Sequence, residues 1–282
     1  MNQPRIESLL SARKFQAAQS VGDRLFFASN LSGRLSLYAM DYGGSVPEPL
    51  LPPHIALQNP HLLNQLYQVY PRLGKILIML DHDGDENYQP MLIPMTGGYP
   101  EPAFGDALAG YRCQLAHYDV DNDMAYFFAE SHDEPVNVSF RGNLRTGELT
   151  EVYRSLYGGA ATGADATHNR VVIVEGYTPG DNVLYLWDET SGEARLLNGR
   201  PLAERDPGET PPLTSFNAAD FTQSERGLLL LTSLFEDTYG LGYIDLDAPE
   251  TVARVEITGI AHTGSGEMED LKLLRDDSYS LQ

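Results

Sequence analysis

A single cysteine, Cys113, in 282 residues excludes an intrachain disulfide and any cysteine-based metal cluster. Positive charge is also scarce: Lys and Arg total 19 against 40 Asp and Glu, a formal charge of −21. So acidic a surface repels phosphate backbones and anionic headgroups, so neither nucleic acid nor a membrane surface is expected as a partner. Solubility is the plain reading of the charge. No run of 18 or more apolar residues occurs, and Met1-Asn2-Gln3-Pro4-Arg5-Ile6-Glu7 has no apolar signal core. The expected location is the cytoplasm.

The motifs of common catalytic sites are missing too. A nucleophile elbow needs Gly-x-Ser-x-Gly, because only small neighbours permit its strained strand-to-helix turn. Gly43-Gly44-Ser45-Val46-Pro47 lacks the second glycine, and Gly264-Ser265-Gly266 has the wrong spacing. The seven histidines (His54, His61, His82, His117, His132, His168, His262) are scattered, and no His-Glu-x-x-His occurs. Gly240-Leu241-Gly242 has no third glycine and no following helix, which argues against a phosphate loop. Asp81, Asp83, Asp85 and Glu86 alternate as calcium ligands do, but Gly84 breaks the EF-hand spacing. A solvated turn whose carboxylates accept backbone N–H bonds accounts for them equally. Asp119, Asp121 and Asp123 precede an apolar strand and read as a turn. No catalytic residue, metal ligand or cofactor is therefore assigned, and the binding residues are left open.

What the chain does have is a repeat. Five apolar segments, Leu25–Ala28, Ile76–Leu80, Met124–Phe128, Val171–Val174 and Leu228–Leu231, begin 51, 48, 47 and 57 residues apart. Each is too short for a helix, follows a turn or charged residue, and suits a strand covered on both faces. Alternating strands follow: Leu35–Met40, Met91–Met95, Val138–Phe140 and Leu184–Asp188. They lead to the hairpin glycines Gly43-Gly44, Gly97-Gly98, Gly147 and Gly192. Closing strands are expected at Glu48–Leu51, Leu149–Tyr153 and Ala194–Leu197.

Four short strands in each period of about 50 residues predict a β-propeller, with an all-β sandwich as the competing arrangement. An α/β fold is excluded by the want of long amphipathic segments. The expected organisation is a single all-β propeller domain, 1–282, with blades at about 14–55, 62–104, 111–154, 163–198 and 216–258. A partial blade, 267–282, has Asp276-Asp277 as its turn, so the repeat stops in mid-blade. Ile6–Ala18 is the best helical candidate and is expected to yield the first inner strand around Lys14–Ala18. Tyr38, Tyr126, Tyr185 and Trp187 are expected to pack blade against blade, and Cys113 to fill an inner strand.

Asp81-His82-Asp83-Gly84-Asp85-Glu86-Asn87-Tyr88-Gln89, followed by Ile93-Pro94-Met95-Thr96-Gly97-Gly98, resembles a loop and hairpin of the prolyl oligopeptidase family. Ser29–Tyr38 resembles that family's first-blade hairpin, and Met268–Leu271 the start of a later blade. The resemblance is to the N-terminal propeller of these serine peptidases, a group that includes acylaminoacyl peptidases, and covers roughly residues 14–282. TolB-like propellers share the same hairpins. In the family the propeller covers a separate α/β-hydrolase domain and filters substrates by size. The resemblance thus implies a non-catalytic, substrate-gating portion whose partner is a peptide substrate or a hydrolase domain. A stand-alone TolB-like scaffold that binds a protein or peptide is the alternative, and a propeller enzyme with a metal or polar site at its channel is a third reading.

Overall fold

The computed structural model describes residues 12–57, 66–258, 268, 270–274 and 278–281. Among them there is no α-helix, only one 3₁₀ turn at Leu202–Glu204. The first blade is β1 (Phe15–Val21), β2 (Arg24–Ser29), β3 (Ser36–Asp41) and β4 (Glu48–Pro49). The second is β5 (Tyr67–Tyr70), β6 (Lys75–Leu80), β7 (Gln89–Pro94) and β8 (Glu101–Pro102). The third is β9 (Tyr111–Asp119), β10 (Met124–Ser131), β11 (Asn137–Asn143) and β12 (Glu148–Ser155). The fourth is β13 (Gly159–Ala164), β14 (Arg170–Thr178), β15 (Asp181–Asp188) and β16 (Glu193–Asn198). The fifth is β17 (Ala219–Phe221), β18 (Gly227–Thr232), β19 (Gly240–Asp245) and β20 (Ala248–Arg254). In each sheet the four strands are hydrogen-bonded in chain order, and a two-stranded sheet of β21 (Leu271–Leu273) and β22 (Tyr279–Leu281) follows. These are the up-and-down blades of a β-propeller.

The five apolar segments are the second strands of the five blades, and nearly every residue in them is buried. Phe26, Ile76, Leu77, Ile78, Tyr126, Phe127, Val171, Val172, Ile173, Leu228 and Leu230 have 0% exposure, on whichever face of their sheet they lie. A strand flanked by two others and covered on both faces tolerates no polar alternation, hence the continuous apolar runs. The outer strands relax this constraint: β16 (Glu193–Asn198) and β20 (Ala248–Arg254) are largely exposed. Cys113 is fully buried on β9, as expected of a filler. The first inner strand runs to Val21, beyond the expected Lys14–Ala18, with a register shift between Gln16 and Gln19. Residues 1–11, the Asp276-Asp277 turn, Gly264-Ser265-Gly266, His61 and His262 lie outside the described residues.

The hairpin glycines close two kinds of turn. Gly44 and Gly97 donate to the carbonyls of Asp41 and Pro94, three residues back, each at 2.9 Å. Gly147 and Gly192 donate four residues back, to Asn143 and Asp188, also at 2.9 Å. In these longer turns a side chain supplies a further acceptor: Asn143 Oδ1 takes the N–H groups of Arg145 and Thr146, both at 3.0 Å. Asp188 Oδ1 does the same for Thr190 and Ser191.

By its contacts the chain divides into two compact units, Met1–Ala125 with Gly142–Leu149, and Tyr126–Arg141 with Thr150–Gln282. In the first, Gln19 bridges β1 to β5, donating to Tyr67 O at 3.0 Å and accepting from Val69 N–H at 3.1 Å. The Tyr70 hydroxyl reaches Met124 O at 3.0 Å, and Arg145 pairs with the buried Asp123 at 2.5 Å. In the second unit, Arg141 forks onto Glu189 at 2.8 and 3.0 Å, donates to His168 O and stacks on Trp187. Tyr126 OH and His168 Nδ1 are 2.7 Å apart. Arg170 joins Asp165 to Glu225, at 2.8 and 2.9 Å. Tyr38, Tyr126 and Trp187 are packing residues, as their strand positions suggested.

Two glycine substitutions separate backbone strain from crowding. Gly147 has φ +75° with open space where a methyl group would stand, so Gly147→Ala is expected to cost about 1 kcal/mol. At Gly97, φ is +87° and a Cβ would fall 2.9 Å from Leu50 O. Gly97→Ala is expected to cost about 2 kcal/mol or more, because backbone must move. Urea denaturation of both variants checks the order.

Candidate functional site

The acidic loop is a capped turn. Asp85 Oδ1 accepts the N–H groups of Asn87 at 2.9 Å and His82 at 3.2 Å, and Asp81 Oδ2 that of Glu86 at 3.1 Å. The Asn87 N–H, with smaller help from His82 and the Asn87 side chain, holds the Asp85 carboxyl below the usual carboxylate range. Positive φ at Asp83, Gly84 and Glu86 bends the chain to make this possible. The other acidic alternation behaves alike: Asp119 Oδ1 accepts from Asp121 and Asn122 at 2.8 and 3.3 Å. Among the described residues no group of three or more His, Cys, Asp or Glu is placed to hold a metal ion. Gly240-Leu241-Gly242 opens strand β19. Burial pushes the Cys113 thiol up to about 12, so it stays protonated at neutral pH.

The densest polar cluster lies in the second unit, around a carboxylate that sequence reasoning passed over. Glu175 on β14 is only 4% exposed. Its Oε2 accepts the Tyr153 hydroxyl at 2.9 Å, and its Oε1 the Tyr177 hydroxyl at 2.7 Å. Tyr185 on β15 interacts with both hydroxyls, and its ring centroid is 5.2 Å from that of Tyr153. Burial, reinforced by the Glu175 carboxylate, raises the phenols of Tyr153, Tyr177 and Tyr185 above their ordinary range. All three remain neutral donors, and the buried carboxylate orients their rings. Tyr185 thus packs against the ring of Tyr153 on the neighbouring blade and also joins a hydrogen-bonded network.

Three of these residues follow from strand geometry. Tyr153 stands near the end of β12, and Glu175 and Tyr177, two residues apart, share one face of β14. Tyr185 is the cross-strand partner of Ile173 on β15. Beyond the network the cluster turns apolar and reaches solvent. Tyr157, 47% exposed, meets Tyr177 edge-on at 5.0 Å, and its neighbour Leu156 is 65% exposed.

A long connection, residues 199–218, lies across this region. Arg205 is forked onto Asp181 at 2.7 and 2.8 Å, its guanidinium stands 5.0 Å over the Tyr177 ring, and its side chain is 7% exposed. Thr214 and Ser215 donate N–H bonds to Gly180 O, both at 2.9 Å, and Asn182 is bonded to Thr214 and Phe216. The connection is therefore stapled to the β14–β15 hairpin. The resulting surface presents the Tyr157 ring and Leu156 over a network fixed from beneath, which suits holding a side chain of a bound partner. One sequence signal pointed here: a carboxylate, Glu175, directly follows the apolar run Val171–Val174, with Tyr177 two residues on.

No family model matches this sequence, and no curated protein matches it. Solved structures do share its fold. A puromycin-hydrolyzing peptidase of Mycobacterium tuberculosis superposes with a TM-score of 0.66 at 13% identity, over 95% of this chain and 43% of its own. A prolyl endopeptidase gives 0.62 at 11% identity, over 99% of this chain and 42% of its own. A putative TolB from Agrobacterium tumefaciens gives 0.51 at 12% identity, over 86% of this chain and 80% of its own. The chain spans about two fifths of the length of the peptidases it matches.

Arg205→Ala removes the central staple while leaving the sheet intact. The connection 199–218 is expected to be cleaved by a nonspecific protease about tenfold faster, with the cut falling in 206–213. Glu175→Ala removes the acceptor of two partly buried hydroxyls and is expected to cost about 1–2 kcal/mol in chemical denaturation.

Proposed function

We propose that this chain is the substrate-gating propeller portion of a prolyl-oligopeptidase-like serine peptidase, of the acylaminoacyl-peptidase-like kind, and carries no catalysis itself. The observation that supports it most is the pairing of sequence and fold. The Gly84-Asp85-Glu86-Asn87 loop and the Pro94–Gly98 hairpin resemble that family, and peptidase propellers share the fold over nearly the whole chain. For the prolyl endopeptidases, inter-domain dynamics has a role in catalysis and specificity. In this reading the propeller meets a peptide substrate or a hydrolase domain, and the tyrosine surface around Glu175 is where a peptide side chain rests.

The second reading, a TolB-like propeller acting as a binding scaffold, is favoured by one observation. The putative TolB matches over 80% of its own length, about twice the share matched in the peptidases.

The purified chain is expected to turn over neither proline-containing nor acylaminoacyl fluorogenic peptides, and to take no label from a fluorophosphonate. Stoichiometric labelling together with turnover would sink the gating reading. The reading frame past codon 282 separates the two readings: a continuing frame with Gly-x-Ser-x-Gly is expected for a peptidase, and a stop codon for a scaffold.

A further inference from the structure

On the first strand of the fifth blade a carboxylate is packed against backbone without a counter-charge. Asp220 lies in β17 and is half-buried, on the opposite face from its buried neighbours Ala219 and Phe221. β17 runs beside β13 of the fourth blade and β21 of the sixth. The approach to β13 is close: a Cβ on Gly163 would fall 2.6 Å from Ala219 O and 2.9 Å from Asp220 Oδ1. Only glycine fits there, and the carboxylate lies directly against the β13 main chain.

Among the described residues of the strands beside it, none places a counter-charge on the carboxylate. β13 reads Gly159-Ala160-Ala161-Thr162-Gly163-Ala164, and β18, the hydrogen-bonded neighbour, Gly227-Leu228-Leu229-Leu230-Leu231-Thr232. Neither strand holds an ionisable side chain. β21 brings Lys272, with Asp270 just before it, and both are exposed. Among the described residues, the one hydrogen bond to the Asp220 carboxylate comes from the N–H of Phe221, at 2.8 Å. The facing strand is under-satisfied as well: Thr162 Oγ1 is buried without a hydrogen-bond partner, beside the β13 register shift between Ala161 and Gly163. Burial, only partly offset by the Phe221 N–H, pushes the Asp220 carboxyl up to about 6.

We propose that the β13–β17 seam is a proton-operated clasp, packed while Asp220 is neutral and loosened once Asp220 ionises. The folded chain binds this proton more tightly than the unfolded chain, whose carboxyl titrates near its ordinary value of about 4. The clasp's contribution is therefore complete below about pH 4, declines as pH rises through about 6, and stays lost above that. Other carboxylates work in the opposite direction. Asp165 is partly buried, which alone would raise it, yet bonds from Arg170 and Thr167 hold it below the usual range. The clasp is consequently read from a difference between variants.

Thermal unfolding of wild type and Asp220→Asn is compared from pH 4.5 to 8, with hydrogen exchange of β13 and β17 amides at pH 5 and 7.5, corrected for intrinsic rates. The two midpoints are expected to lie nearest each other at the acid end, to draw apart as pH rises toward 6 and to stay apart by a constant amount above it, the variant being the more stable. Wild-type protection on β13 and β17 is expected to fall by about tenfold between pH 5 and 7.5, while β6 and β7 stay unchanged. Parallel pH profiles for the two proteins, or a protection loss spread evenly over all blades, would overturn the proposal. If Asp220→Asn does not fold, the wild-type exchange pattern decides by itself.

Discussion

A four-stranded sheet whose middle strands are apolar on both faces cannot cover itself, and the rest of this structure answers that constraint. Val172, Leu184, Leu186 and Leu197 of the fourth blade form one cluster with Phe216, Ala219, Phe221, Leu228, Leu230 and Ile244 of the fifth and its approach. The fourth and fifth blades thus each supply half of a core that exists only once the other is in place. Leu231, Leu241 and Leu271 repeat the arrangement between the fifth blade and the two-stranded sixth. The smallness of residues such as Gly163 and Gly227 follows from the same pressure, since a side chain there would meet a neighbouring strand or ring.

Apolar faces alone do not fix how one blade sits on another, because such contacts lack direction. The polar side chains at the seams supply it. Arg141, Arg170 and Arg205 each combine a short carboxylate pair with an aromatic ring beneath the guanidinium, Trp187, Phe221 and Tyr177 respectively. Arginine suits the task because its planar fork pairs with a carboxylate while its face lies on a ring. Few positive charges exist in this acidic chain, and several arginines are committed to such joints rather than spread over the surface.

The two polar features without a packing role stand out against that background. Glu175 is buried but fully answered by tyrosine hydroxyls, so it gives rigidity to a surface of rings that reaches solvent. Asp220 is half-buried against the β13 main chain and, among the described residues, is answered only by its own backbone neighbour, so it gives the seam a dependence on protons. One builds a fixed platform and the other a point of adjustment, both in the second unit.

The repeat was legible in the residues. Apolar runs from Leu25 to Leu231 mark the second strand of every blade, because a strand covered on both faces admits no polar alternation. The glycines at 44, 97, 147 and 192 mark the hairpins, because those turns need positive φ. The acidic alternation at Asp81–Asp85 could be read as a turn or a metal loop, and only the observed bonds to backbone N–H groups show it capping a turn. The sequence marks Glu175 only faintly, as a carboxylate at the end of an apolar run, and Asp220 not at all. What distinguishes Glu175 is the meeting of Tyr153, Tyr177 and Tyr185 from three strands, and what distinguishes Asp220 is the lack of charge on strands distant in the chain. Local periodicity determines which residues become strands and which face they take. Whether a buried carboxylate finds a partner depends on how separate strands stack, and that was decided by the tertiary structure alone.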